Sequence, residues 1–171
     1  DFGENRHQEA RDKAAALADL DLNWHFVGQL QSKKARQVRA YADVIHSLDR
    51  VSVVDALHSD EETVECFVQL NLTDDPGRGG VADAELESLT ERVLVTSGLR
   101  LLGVMAVAPL GVEPRRAFAR VRAASQRVMV LAPEARFISA GMSADFGDAI
   151  AEGAIHLRIG TAITGNRPRA G

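Results

Sequence analysis

From end to end the chain alternates short apolar β-forming runs with helix-compatible runs, and this alternation restricts the fold more than any other feature. Seven strand-like segments read out: Phe2–Asn5, Trp24–Gly28, Ala42–Ser47, Val64–Leu72, Leu99–Val107, Phe137–Ala140 and Ile155–Ile159. Between them the spacing predicts helices over 6–20, from a Ser32 cap to about Tyr41, over 49–58, 82–97 and 114–131, and a short one after Gly141. The 6–20 helix carries Ala10, Ala14 and Leu17 at helical spacing, and the 82–97 helix carries Leu86, Leu89, Val93 and Leu94. Pro114 stands in the first turn, where its missing N–H costs nothing, and the arginines that follow are expected to point outward.

Strictly repeated βα units build a parallel sheet, because each helical crossover returns the chain to the end where the next strand starts. Such a sheet is either open and doubly wound or closed into a barrel. The open form lacks its glycine-rich fingerprint after an early strand. The expectation is therefore an α/β chain with a (β/α)8 TIM-type barrel that lacks its first βα unit. It would be one domain over 1–171, incomplete at its N-terminus, since Asp1-Phe2-Gly3-Glu4-Asn5 reads as the end of a strand and its turn.

Composition narrows the function classes. A net charge of −4 argues against a general nucleic-acid or anionic-membrane surface. No apolar run reaches the roughly 18 residues that span a bilayer, and no signal peptide is visible. Cys66 is the single cysteine and lies in an apolar strand, so it packs in the core and a reducing, cytoplasmic setting is expected. Asp74-Asp75 and Glu61-Glu62 sit in turn-like, solvated sequence.

Two glycine turns close the chain. Phe137–Ala140 leads into Gly141-Met142-Ser143, and Ile155–Ile159 leads into Gly160-Thr161. Each pairs a glycine with a small hydroxyl residue ahead of helix-compatible sequence, which offers free backbone N–H groups and a hydroxyl to a phosphate dianion. The alternative is that both glycines are simply turn residues. In tandem on the last two strands they match the place where parallel barrels hold phosphate.

Other polar residues fall at expected strand ends: Asn5, His25, Asn71 and Arg158. His25, in Trp24-His25-Phe26, is either a group titrating near neutral pH or a hydrogen-bonded core histidine, and His46 poses the same choice. His7, His58 and His156 show no metal-ligand spacing. No Gly-x-Ser-x-Gly elbow is present. Arg158 interrupts a short apolar strand, so its guanidinium should face the barrel mouth and meet a partner, because an unpaired buried charge is costly.

Several of these segments resemble successive motifs of one family. They are Phe2-Gly3-Glu4-Asn5 with Gln8-Glu9, Trp24-His25-Phe26-Val27-Gly28-Gln29-Leu30-Gln31 and His46-Ser47-Leu48-Asp49-Arg50. Gly141-Met142-Ser143-x-Asp145 and Arg158-Ile159-Gly160-Thr161-Ala162-Ile163 complete the set. The family is the pyridoxal phosphate homeostasis proteins, the YggS/PROSC group, related to the N-terminal barrel of alanine racemase. The resemblance runs the length of the chain.

It implies a single-domain barrel that binds pyridoxal 5′-phosphate and buffers or delivers it, as a monomer, with dependent apoenzymes as possible recipients and no nucleic-acid or membrane partner. Ser143, Gly141, Gly160 and Thr161 would serve the phosphate, Arg158 the pyridine nitrogen, and Asn5 and Met105 the ring side. A guanidinium stays protonated, so it would hold the ring nitrogen unprotonated and weaken the cofactor as an electron sink. The family's cofactor-bearing lysine lies on a strand upstream of Phe2-Gly3-Glu4-Asn5. Of the three lysines here, Lys13, Lys33 and Lys34, none matches it, so only non-covalent binding and no catalytic residue are expected. An amino-acid racemase using the same cofactor is the enzymatic alternative. A phosphosugar-binding barrel enzyme is a third reading, and it leaves Arg158 unexplained.

Overall fold

The computed structural model describes residues 1–165; the polar tail read at Asn166-Arg167-Pro168-Arg169 lies outside them. Seven parallel strands form one sheet in sequence order: β1 (Phe2–Glu4), β2 (Trp24–Phe26), β3 (Val44–Leu48), β4 (Val64–Gln69), β5 (Leu99–Met105), β6 (Phe137–Met142) and β7 (His156–Arg158). Helices follow each strand in turn: α1 (His7–Ala16), α2 (Ala35–Arg39), α3 (Val51–Ala56), α4 (Leu86–Leu94), α5 (Pro114–Leu131), α6 (Phe146–Ala151) and α7 (Thr161–Thr164). The ring of His156 on β7 lies 6.2 Å from that of His25 on β2, so the sheet curls almost onto itself. The result is a nearly closed α/β barrel, as the alternation predicted.

Side chains divide between the two faces of the strands by their period of two. Outward residues such as Ile45, Cys66, Val68, Val104 and Ile138 pack with the helices in one continuous core. Inward, Val44, Phe67, Leu102, Met105 and Phe137 form a smaller cluster. Cys66 is fully buried, as its apolar neighbours indicated.

Several local expectations shift. The 6–20 helix ends at Ala16 and fully buries only Ala10, while Ala14 and Leu17 are half-buried. Ser32 does not cap; Gln31 precedes a 3-10 turn over Ser32–Lys34 that feeds α2. The 82–97 segment splits into a 3-10 turn and α4, whose fourth core residue is Thr90, while Leu94 is left 44% exposed. Thr90 tolerates burial because its hydroxyl donates to the Leu86 carbonyl at 2.8 Å.

The long helix keeps its predicted bounds, starting at Pro114. Its cap is Glu113, whose carboxylate accepts from the N–H groups of Arg115 and Arg116 at 3.2 and 2.8 Å. Its arginines do lie outward, and four of them tie it to neighbours. Arg127 binds Asp83 and Glu87, Arg115 and Arg122 bind the buried Glu152 beyond α6, and Arg120 donates to the Leu72 carbonyl.

Candidate functional site

Arg158 ends β7 and turns inward, half-buried. Its Nη1 donates to the carbonyl and hydroxyl oxygens of Ser139 on β6, at 3.0 and 2.9 Å. Its Nη2 donates to the Ala106 carbonyl just past β5, at 2.8 Å. The partner that sequence reasoning required is thus two backbone carbonyls and a hydroxyl, which fix the guanidinium plane. Burial pulls its pKa down to about 10, with Asp145 acting in the opposite sense, so it remains a cation at neutral pH. These three bonds use Nη1 and Nη2 and leave Nε–H out of the anchor.

Two residues on, the chain makes the second glycine turn. Gly160 caps the four-residue α7, and a Cβ placed on it would meet nothing within 4 Å. Thr161 is exposed beside it. The first glycine turn is built differently. Gly141 is buried with φ +93°, and a Cβ there would stand 2.7 Å from the Ala149 Cβ and 3.0 Å from the Phe146 Cα. Its part is to let α6 approach β6. Asp145 then closes this turn by accepting from the Met142 N–H at 2.6 Å.

The two turns touch: the Ser143 hydroxyl accepts from the Ala162 N–H at 3.2 Å. Ser143, Gly160 and Thr161, widely separated in sequence, therefore share one corner of the barrel mouth, next to Arg158. Two hydroxyls, the Thr161 N–H at the start of α7 and a fixed cation gather there, and the nearby carboxylate, Asp145, is held on the Met142 N–H. Open space over Gly160 leaves room for a group to sit on it. These residues fit a phosphate.

The remaining predicted residues divide. Met105 ends β5 beside Gln69 and Ser139 and is 1% exposed, lining the interior. Asn5 follows β1 and is exposed; its carbonyl packs on Gly28, where a Cβ would overlap it. Asn71 serves its own loop, donating to the Asp75 carbonyl and accepting from Thr73. His25 is not at a strand end. It sits mid-strand and faces the interior, where its Nδ1 lies 2.9 Å from His46 Nε2.

His46, 2% exposed, stacks on Phe67 at 4.6 Å, and its Nδ1 lies 2.8 Å from Ser139 Oγ. Burial first, then the neighbouring His25, Arg158 and His156, pushes its pKa down to about 2, so it is neutral. His25 is lowered by burial and by the N-terminal amine, against Asp43. His156 is lowered by burial and by His25, and its buried Nδ1 has no hydrogen-bond partner among the described residues. Among the described residues no group of three or more His, Cys, Asp or Glu could hold a metal ion.

The Ser139–His46 contact joins residues 93 apart and was not read from sequence. One signal was available. His46, Ser139, His156 and Arg158 are polar residues in strands otherwise apolar, with His156 and Arg158 two apart on one face.

The lysines lie elsewhere. Lys13 pairs with Glu4, Lys34 reaches Gln37 at 3.3 Å and Lys33 is exposed. At the opposite, N-terminal end of the strands a hollow of about 580 Å³ is lined by Tyr41, Glu65 and Arg100 among others. Its cations are engaged: Arg39 binds the carbonyls of Leu57, Gly98 and Glu62, and Arg100 binds Glu65.

A family model described as the alanine racemase N-terminal domain matches residues 1–168. The pyridoxal phosphate homeostasis protein of Corynebacterium glutamicum is 40% identical, covering 98% of this chain and 80% of that protein. The protein of the same name from Pseudomonas aeruginosa is 38% identical over 98% of this chain and 74% of its own. PipY of Synechococcus elongatus, solved with PLP bound, superposes with a TM-score of 0.83 at 36% identity, over 94% of this chain and 79% of that one. Alanine racemase from C. glutamicum gives a TM-score of 0.73 at 16% identity, over 94% of this chain and 46% of that one, a likeness of fold alone. The chain belongs to the alanine racemase N-terminal domain family, among the pyridoxal phosphate homeostasis proteins.

Proposed function

We propose that this chain binds pyridoxal 5′-phosphate at the C-terminal mouth of its barrel and keeps or hands on the cofactor, rather than turning over a substrate. The observation that carries this reading is the anchored Arg158, two residues ahead of the open Gly160-Thr161 turn. In it, Ser143, Gly160 and Thr161 hold the phosphate, and Arg158 points its Nε–H at the pyridine nitrogen. Met105 lines the ring side and Asn5 approaches from β1, while Gly141 shapes the turn without touching the ligand.

The bound cofactor supplies an aldehyde and an electron-withdrawing pyridine ring. Arg158 restrains that ring. A guanidinium can only donate, so the nitrogen facing it must accept and stays unprotonated. An unprotonated ring withdraws electrons weakly, which suits a holder of the cofactor more than a carbanion-forming enzyme. Lys13, Lys33 and Lys34 lie on the outer elements, so none of these three is placed to bond the cofactor covalently. The recipients are dependent apoenzymes of the same compartment, which for a chain with one buried thiol is a reducing, cytoplasmic one. No helix of the described residues is long and apolar enough to cross a membrane.

The test is an absorbance titration with pyridoxal phosphate, followed by borohydride and intact mass, with alanine racemisation assayed in parallel. Saturable binding without a mass increase or racemisation is expected, and Arg158→Met weakens binding about tenfold, as for loss of a charged hydrogen bond. No binding by the parent chain would overturn the reading. Alanine turnover would replace it with the racemase.

A further inference from the structure

We infer that Ser139 and His46 are positioning residues for Arg158, acting through a one-way chain of hydrogen bonds that continues to His25. This rests on the reading that Arg158 meets the cofactor's ring nitrogen.

The direction of the chain follows from donor and acceptor accounting, hydrogen by hydrogen. Arg158 Nη1 can only donate, so Ser139 Oγ accepts from it at 2.9 Å. Ser139 is fully buried, and its only other hydroxyl contact among the described residues is His46 Nδ1 at 2.8 Å. If His46 Nδ1 carried the proton, the Ser139 hydrogen would be left without an acceptor inside the barrel, which is unfavourable. Ser139 therefore donates to Nδ1. The proton of neutral His46 must then sit on Nε2, which donates to His25 Nδ1 at 2.9 Å. His25 in turn carries its own proton on Nε2, the atom 3.7 Å from Asp1 Oδ1.

One cation at the end of β7 thus sets the tautomers of two histidines on β2 and β3. The coupling runs both ways. A His46 that accepts on one side and donates on the other holds the Ser139 hydroxyl so that its lone pair faces Arg158. Phe67 keeps the His46 ring in plane for this by stacking on it at 4.6 Å. The two carbonyls alone fix where the guanidinium lies; the hydroxyl adds the third anchor that fixes its rotation.

Two measurements test this. In the cofactor-free chain, nitrogen–proton correlation spectra of labelled histidine should show both His46 and His25 as Nε2–H tautomers at neutral pH. Separately, His46→Phe keeps the stack on Phe67 but cuts the chain, whereas His46→Gln can accept from Ser139 and donate to His25. His46→Phe should weaken pyridoxal phosphate binding about tenfold, and His46→Gln should stay within about threefold of the parent.

An Nδ1–H tautomer at His46 would overturn the inference without touching the assignment of the site. So would equal affinities for the two variants. Loss of binding in Arg158→Met together with no difference between the two His46 variants would leave the cofactor site standing and remove the relay.

Discussion

The two glycine turns look alike in sequence, and the structure gives them opposite jobs that two alanine substitutions separate. At Gly141 a side chain meets a left-handed φ of +93° and stands 2.7 Å from the Ala149 Cβ and 3.0 Å from the Phe146 Cα. A left-handed conformation costs a non-glycine residue about 1–2 kcal/mol. Overpacking a buried site adds about 1–3 kcal/mol, since α6 must move off β6. The sum is about 2–5 kcal/mol, which for a chain of this length lowers Tm by about 5–20 °C. Gly160 has φ −119° and open space around its Cβ position, so Gly160→Ala should keep Tm within about 2 °C. That methyl group would stand where the proposed phosphate would sit, and pyridoxal phosphate affinity should fall about fivefold or more. Thermal melts by circular dichroism and an absorbance titration read the two effects. A Gly141→Ala chain that melts with the parent refutes the packing argument. A Gly160→Ala chain that binds like the parent refutes the phosphate placement.

Two further outcomes follow from the interior chemistry. His46, with its pKa held near 2 in the fold against 6.5 ordinarily, takes up a proton only on unfolding, so the unfolded chain binds more protons below pH 6.5. Stability should therefore be level above about pH 7 and fall through pH 6.5 toward 2, by about 1.4 kcal/mol per pH unit for this group. His25 and His156 are lowered too and steepen the fall; urea unfolding at pH 7.5 and pH 5.5 measures it, and equal midpoints would contradict it. Burial pushes the Cys66 thiol up to about 12. A disulfide reagent at pH 8 should leave it unmodified in the native chain and label it fully in denaturant, and rapid native labelling would refute its place in the core.

What the sequence determined by itself is what depends on local pattern. Period-two apolar runs such as Val64–Gln69, alternating with helical spacing such as Leu86, Leu89 and Val93, carry the parallel architecture, because every crossover obeys one handedness. Arg158 in an apolar strand announced an inward cation, and Ser143 with Gly160-Thr161 announced two glycine turns that meet at one corner, since a hydroxyl beside a turn glycine is legible residue by residue. Leu94 and Ser32 were misread for the complementary reason. Which side of a helix is covered, and which residue caps it, depends on neighbours that arrive from elsewhere in the chain.

Tertiary structure alone decided the interior. Barrel curvature sets residue 46 against residue 139 and brings β7 round to β2, and a polar residue in an apolar strand does not name its partner across that span. The same closure turned His25 from a strand-end candidate into an interior group, its Nδ1 held 2.9 Å from His46 Nε2 and its pKa lowered by burial.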